Sequence, residues 1–99
     1  MAEAVIHELP EGIGQEQYDA VNEKLDPQSN PPEGLMVHLA GQGPNGRWRI
    51  VEVWESRDQY ERFAEERLNP AINEVAQAGG AEVQSADHTW WPLHAVFTG

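Results

Sequence analysis

The stretch RWRIVEVWESRDQYERFAEERLNPAIN, residues 47–73, decides the fold because it joins an alternating strand directly to an amphipathic helix. Side chains on a strand alternate between two faces, and here both faces carry large apolar groups. The first face holds Trp48, Ile50, Glu52 and Trp54, and the second holds Arg49, Val51, Val53 and Glu55. Ser56 and Gln59 have the spacing of a capping box, which marks the start of the helix. Its apolar residues recur at helical spacing, so one helix face must pack on the sheet.

The remaining elements follow from shorter patterns. In chain order they are a strand over 4–9, a helix over 15–25, a proline-rich loop over 26–34, a strand over 34–40 and a last extended segment over 81–99. Asn45-Gly46 is typical of a tight hairpin turn, so the second and third strands should pair antiparallel. Pro70 predicts a kink or a break in the second helix, and Pro92 predicts an edge position or a bulge.

The order of elements is strand, helix, strand, strand, helix, strand. This order predicts one α+β domain over residues 1–99 with a ferredoxin-like βαββαβ fold, in which a four-stranded antiparallel sheet carries both helices on one face. The spatial order of the strands would be four, one, three, two. The other sheet face would be bare and apolar, and such a face usually marks association or ligand binding.

The Val-Trp-Glu-Ser junction, followed by a helix with Tyr60 and Phe63, resembles the small antibiotic-biosynthesis-monooxygenase type of domain. The resemblance is best over residues 35–76. It implies membership of the dimeric α+β barrel superfamily, whose two sheets pair face to face, and hence a homodimer. The superfamily includes cofactor-free monooxygenases, haem-degrading enzymes, isomerases and cyclases, so the fold alone does not settle the function.

Composition excludes several classes of partner. The 99 residues carry 17 acidic and 6 basic side chains, and the formal net charge of -11 repels nucleic acid and anionic membrane surfaces. No cysteine is present, so thiolate and disulfide chemistry are excluded. The start MAEAVIHELP lacks the layout of a signal peptide, and no apolar run approaches the roughly 20 residues of a membrane span. We therefore expect a cytoplasmic protein.

The candidate site depends on which sheet face meets the helices. The more uniformly apolar set is expected to pack under them: Ala4, Ile6, Leu35, Val37, Leu39, Val51, Val53, Trp91, Leu93, Ala95 and Phe97. The other set would then point into the barrel, with one polar residue from each strand: His7, His38, Glu52 and His94. Met36, Trp48, Ile50, Trp54, Trp90 and Val96 would surround them as the walls of an apolar pocket, and only one of Trp90 and Trp91 can face it.

Three interpretations of this set remain open. The four polar residues form a buried network that only satisfies itself, or they form a metal site, or they act as acids and bases on a small molecule. His7 and Glu52 would be neighbours on the central strands, where a carboxylate orients an imidazole and raises its basicity. The ligand types suit zinc, iron or copper, but no HxxxH or HxH spacing supports a metal site.

The resemblance adds expectations about cofactors. Haem-degrading members use an asparagine on an early strand with a tryptophan and a histidine on the second helix, where this chain has Phe63 and Asn73, so haem is disfavoured. Quinone-forming members use no metal or flavin. The resulting hypothesis is a monooxygenase-like or cyclase-like enzyme that acts on an apolar or aromatic, polyketide-like molecule without an organic cofactor. The alternatives are a non-catalytic homodimer that binds a hydrophobic ligand and a His/Glu metal protein.

Overall fold

The computed structural model describes residues 2–98. The elements are β1 (Glu3–Glu8), α1 (Gln15–Leu25), β2 (Leu35–Gln42), β3 (Trp48–Trp54), α2 (Arg57–Phe63), α3 (Asn69–Ala78) and β4 (Asp87–Pro92), with a π-helical turn, Ala64–Leu68, between α2 and α3. The strands form one antiparallel sheet in the order β2-β3-β1-β4. The predicted α+β class, order of elements and strand order are therefore confirmed.

The last strand is shorter than the extended segment predicted over 81–99. It pairs residue for residue with β1, so it covers only the six residues that face Glu3–Glu8. A bond from the Leu93 amide to the Ala2 carbonyl, 3.0 Å long, ends this pairing. His94 therefore lies beyond the sheet and is exposed, and its predicted place on the strand is wrong.

The second helix does not break at Pro70. The turn before it widens instead, because the Asn69 amide donates to the carbonyl of Ala64, five residues earlier. Proline has no amide hydrogen and its ring crowds the preceding turn, and a π-helical turn accommodates both features without ending the helix. Ser56 caps the helix as predicted, since its hydroxyl oxygen accepts the Gln59 backbone amide at 3.3 Å. The second bond of the predicted capping box is replaced, because the Gln59 side-chain oxygen accepts from the Ser56 hydroxyl at 3.0 Å. None of the helices among residues 2–98 is long and apolar enough to span a bilayer.

Aromatic contacts identify the sheet face that the helices cover. The Tyr18 ring of α1 lies 5.8 Å from the His38 ring, and the Tyr60 ring of α2 lies 5.2 Å from the His7 ring. Strand register places the other members of this face, which are Val5, Trp48, Ile50, Glu52, Trp54, His88 and Trp90. Three of the four predicted polar residues, His7, His38 and Glu52, thus share one face, but that face lies under the helices rather than in a barrel.

The opposite face is mostly apolar, and the prediction that it lies under the helices is wrong. Its apolar residues are Ala4, Ile6, Val37, Leu39, Val51, Val53 and Trp91, while Glu8, Arg49, Asp87 and Thr89 lie toward one end of it. Leu39 is 59% exposed and Trp91 is 38% exposed. Apolar uniformity misled the prediction because the helices present Tyr18 and Tyr60, whose hydroxyl and ring faces suit imidazoles better than aliphatic side chains do.

Candidate functional site

Glu52 is the centre of the helix-covered face. It lies on β3, a central strand, and only 6% of its surface is exposed. Its Oε1 accepts hydrogen bonds from His7 Nε2 at 3.0 Å and from Trp54 Nε1 at 3.1 Å, and its Oε2 accepts one from His38 Nδ1 at 2.7 Å. Both carboxylate oxygens of this buried acid are therefore satisfied by donors from three positions.

These donors keep Glu52 ionised. Burial by itself would raise the pKa of this carboxyl, but the hydrogen bonds from His38 and His7 outweigh burial and hold the pKa at about 2. A carboxylate with so low a pKa accepts hydrogen bonds at neutral pH and carries no proton of its own. Glu52 therefore orients its neighbours and does not pass protons between them.

The carboxylate fixes the tautomers of two imidazoles in opposite senses. A neutral His7 that donates from Nε2 leaves Nδ1 free to accept, and a neutral His38 that donates from Nδ1 leaves Nε2 free to accept. One acid thus prepares two bases that face away from each other. We refer to the five residues linked in this way, Tyr18, His38, Glu52, His7 and His88, as the Glu52 chain.

At one end of the Glu52 chain, His7 contacts His88. The two residues face each other in the register of β1 and β4, and their Nδ1 atoms are 2.7 Å apart. His7 is 6% exposed, and its ring also stacks on that of Tyr60. Burial, followed by the nearby His7, lowers the pKa of His88. At this end, therefore, buried His7 contacts exposed His88 on the edge strand β4.

At the other end, His38 contacts Tyr18 of α1. Its Nε2 is 2.5 Å from the Tyr18 hydroxyl, and the His38 side chain is 32% exposed. Burial, followed by the charge of Glu52, raises the pKa of Tyr18, so its hydroxyl stays protonated and donates to His38. The Tyr18 ring also lies 5.6 Å from that of Trp48, whose buried Nε1 has no hydrogen-bond partner within residues 2–98.

The structure brings together three of the four polar residues expected at the site. His7, Glu52 and His38 are joined by direct hydrogen bonds, whereas exposed His94 lies outside the chain. His88 takes the place expected for His94. The sequence carried a signal for it, because His88 has the same strand parity as Trp90 and lies closer to the centre of the last extended segment.

The aromatic and apolar residues expected to wall the pocket are divided among different roles. Trp54 is fully buried between Tyr60 and Phe63, so it belongs to the core. Ile50 is half-buried on the helix-covered face, and Met36 is 48% exposed at an irregularity in β2. Trp48 and Trp90 lie near opposite ends of the Glu52 chain. Of Trp90 and Trp91, Trp90 lies on the helix-covered face, where its ring meets that of Tyr60 of α2 at 5.2 Å.

A metal centre is not formed by the described residues. Between residues 2 and 98 there is no group of three or more His, Asp or Glu side chains arranged to hold an ion. A groove of about 240 Å³ lies elsewhere, between α1 and α3, and is lined by Lys24, Leu25, Asn30, Arg67, Pro70, Ala71 and Glu74. The Glu52 chain places two imidazoles against one carboxylate, an arrangement that suits proton transfer.

Comparisons with known proteins address the fold. No family model and no curated protein matches the sequence. Solved structures do match, including an assigned antibiotic biosynthesis monooxygenase from Chloroflexus aurantiacus, with 18% identity, a TM-score of 0.59 and 100% of each chain covered.

Two further matches have stated activities. SnoaB from Streptomyces nogalater, a cofactor-independent oxygenase, has 13% identity and a TM-score of 0.60, with 99% of this chain and 97% of SnoaB covered. The heme-degrading protein Rv3592 from Mycobacterium tuberculosis has 17% identity and a TM-score of 0.58, with 100% and 98% covered. At such identities a likeness establishes architecture and leaves activity open. The chain therefore has the ferredoxin-like fold of the antibiotic-biosynthesis-monooxygenase-like domains.

Proposed function

We propose that this protein is a small-molecule enzyme of the monooxygenase-like or cyclase-like kind, and that it uses no organic cofactor. Its substrate is an apolar or aromatic, polyketide-like molecule. The step that the protein catalyses is removal of a proton from an activated C–H or phenolic O–H group by an imidazole that Glu52 orients. The anion left behind is electron-rich, so it can cyclise or react with dioxygen directly.

The observation that carries this proposal is the buried Glu52 carboxylate held between two imidazoles. The second nitrogen of each imidazole is hydrogen-bonded to a further residue, His88 for His7 and Tyr18 for His38, so the network runs outward from the buried carboxylate in both directions. Carboxylate, imidazole and hydroxyl in sequence also occur in hydrolytic triads, where the acid fixes the tautomer of the base. Tyr18, His38 and Glu52 repeat that order at 2.5 and 2.7 Å.

We place the substrate at the His38 end of the Glu52 chain. The His38 side chain is 32% exposed, whereas the His7 side chain is 7% exposed. The unpartnered Trp48 Nε1 offers a donor for a carbonyl or phenolic oxygen, and buried donors without partners are rare enough to need an explanation. In this proposal a substrate group replaces the Tyr18 hydroxyl at His38 Nε2. SnoaB, a cofactor-independent oxygenase of the same fold, supports chemistry without a cofactor.

The first experiment is Glu52→Gln, assayed by oxygen uptake and by product analysis with a panel of polycyclic hydroxyaromatic compounds. The amide cannot accept from both imidazoles, so we expect loss of activity by a factor of about 10² or more. Glu55→Gln, an exposed carboxylate just after the same strand, is the matched control and should keep wild-type activity. Full activity in Glu52→Gln would contradict the proposal.

A second experiment tests the position of the substrate. If a substrate group displaces the Tyr18 hydroxyl, Tyr18→Phe should retain kcat, because it frees the acceptor nitrogen of the base. His38→Gln should abolish turnover. Trp48→Phe removes the proposed donor and should raise KM more than it lowers kcat. Loss of kcat in Tyr18→Phe would instead assign the proton transfer to the tyrosine.

The alternative function is a non-catalytic homodimer that carries a hydrophobic ligand. The bare apolar sheet face favours a homodimer in either case, since a second copy placed on it would cover Leu39 and Trp91. Purified protein that retains a coloured ligand and never turns it over would favour the carrier. Loss of the dimer in Glu52→Gln would assign the carboxylate a purely structural role.

A further inference from the structure

The His7 end of the Glu52 chain is left unused by the chemistry proposed above. His7 is buried, and its two ring nitrogens contact Glu52 and His88. His88 lies on β4, an edge strand of the sheet, and is exposed. A buried imidazole enclosed in this way has no direct contact with water through either nitrogen.

We propose that His88 is the residue through which His7 exchanges its proton with solvent, so that the charge on His7 follows the pH at the surface of β4. This proposal rests on the proposed function of the Glu52 chain, because it describes how that site is regulated. The 2.7 Å contact between the Nδ1 atoms of His7 and His88 is the observation that supports this proposal.

The direction of the hydrogen bond follows from Glu52. Because the carboxylate takes the Nε2 hydrogen of neutral His7, the hydrogen between the two Nδ1 atoms belongs to His88. His88 Nε2 is then the acceptor on the solvent side. When water protonates that nitrogen, His88 passes its Nδ1 hydrogen to His7 Nδ1, and one proton has moved from solvent to the buried ring.

The charges around the pair favour storage of that proton on His7. The ionisable groups that face His88 are His7 from β1, Asp87 on its own strand and Arg57 at the start of α2. Burial and the positive groups disfavour a charge on His88, while an imidazolium at His7 lies 3.0 Å from the Glu52 carboxylate. Protonated His7 then forms an ion pair with Glu52, and the hydrogen bond from His38 to that carboxylate becomes weaker. Because His38 is the proposed base, catalytic activity falls in acid.

The test is NMR of the ring nitrogens without substrate, so it does not depend on any assay of turnover. In the wild-type protein, protons should exchange between His7 Nδ1 and water through His88, and the line widths of the His7 ring nitrogens report the rate. His88→Gln keeps an amide that can donate to His7 but binds no proton. We expect it to slow proton exchange at His7 Nδ1.

Two further variants distinguish proton transfer through His88 from a change in structure. His88→Phe removes the donor as well and should slow proton exchange at His7 Nδ1 in the same way, whereas His94→Gln changes an exposed histidine outside the Glu52 chain and should match the wild type. Near-ultraviolet circular dichroism of the tryptophans checks that each variant folds. Proton exchange at His7 that is unchanged in His88→Gln would overturn the proposal.

Once a substrate is found, the acid limb of the kcat profile gives a second readout. His88→Gln should change the position or steepness of that limb and leave the plateau at higher pH unchanged. If the proposed function is wrong, no variant will show turnover, while proton exchange at His7 will still depend on His88. If His88 does not transfer protons to His7, the enzyme will be active and the acid limb of its kcat profile will be the same in His88→Gln as in the wild type.

Discussion

The two faces of the sheet have opposite character. The face under the helices contains three histidines and an ionised glutamate that is hydrogen-bonded to two of them, yet it is the more deeply buried. The other face is mostly apolar, with its charged residues toward one end, yet it leaves Leu39 and Trp91 exposed. In this fold the availability of hydrogen-bond partners, rather than hydropathy, decides which sheet face is buried. The polar side chains bond to each other, and the helices supply tyrosines that contact the histidines.

Substitution of Trp54 and of Trp91, which lie on opposite faces of the sheet, should give the largest difference in stability between the two faces. Trp54, on the helix-covered face, is fully buried and contacts two aromatic rings of α2. Trp54→Ala should cost about 3 to 5 kcal/mol of unfolding free energy, enough to unfold much of a small domain. Trp91→Ala, on the other face, should cost less than about 1 kcal/mol at protein concentrations where a dimer does not form. Urea denaturation measures both, and equal losses would show that the two faces are equally covered.

Acid should destabilise the helix-covered face through Glu52. The pKa of this carboxyl is about 2 in the folded protein, against an ordinary value of 4.5. Because the folded-state pKa is lowered, the stabilisation is present above about pH 5 and is lost as the pH falls toward 2. The loss should be about 3 kcal/mol. Urea denaturation across this pH range should show the slope in the wild-type protein, and Glu52→Gln should lack it.

A charge on the bare face should leave the fold intact and break the proposed dimer. Leu39 is 59% exposed, so Leu39→Glu removes little buried area and should change the unfolding free energy of the monomer by less than about 0.5 kcal/mol. Multi-angle light scattering should give twice the monomer mass for the wild type and the monomer mass for the variant. Asp58→Glu, an exposed change on α2, is the control. Equal masses for wild type and Leu39→Glu would remove this face from the interface.

The smallest expected effect is on tyrosine ionisation. Burial, followed by the charge of Glu52, raises the pKa of Tyr60 to about 12, against an ordinary 10.0. The chain has two tyrosines, so Tyr18→Phe isolates Tyr60 for titration by ultraviolet absorbance. Half-ionisation should occur near pH 12 in the folded protein and lower in urea. Because the folded-state pKa is raised, this contribution to stability is lost as the pH rises above about 10.

Much of the fold could be predicted from local patterns. Alternation placed His7, His38 and Glu52 on one face, and the order of elements gave the strand order, because both depend on short-range geometry. The side on which the helices pack could not be predicted in the same way. It depends on which side chains the helices present, and Tyr18 reaches His38 across 20 residues of sequence.

The end of β4 shows a second limit. Residues 81–99 have no internal feature that fixes where pairing stops, and the strand length is set by β1. The sequence therefore offered both His88 and His94 at the same parity, and pairing selected His88. The π-helical turn before Pro70 is a third case, since a missing amide hydrogen can end a helix or widen it.

One ionised carboxylate, Glu52, orients two imidazoles in opposite tautomers, and the ring-nitrogen chemical shifts of the four histidines at neutral pH test this arrangement directly. We expect His7 to carry its hydrogen on Nε2 and His38 to carry its hydrogen on Nδ1, and we expect Glu52→Gln to disturb both. The same tautomer at both rings, unaffected by Glu52→Gln, would contradict it.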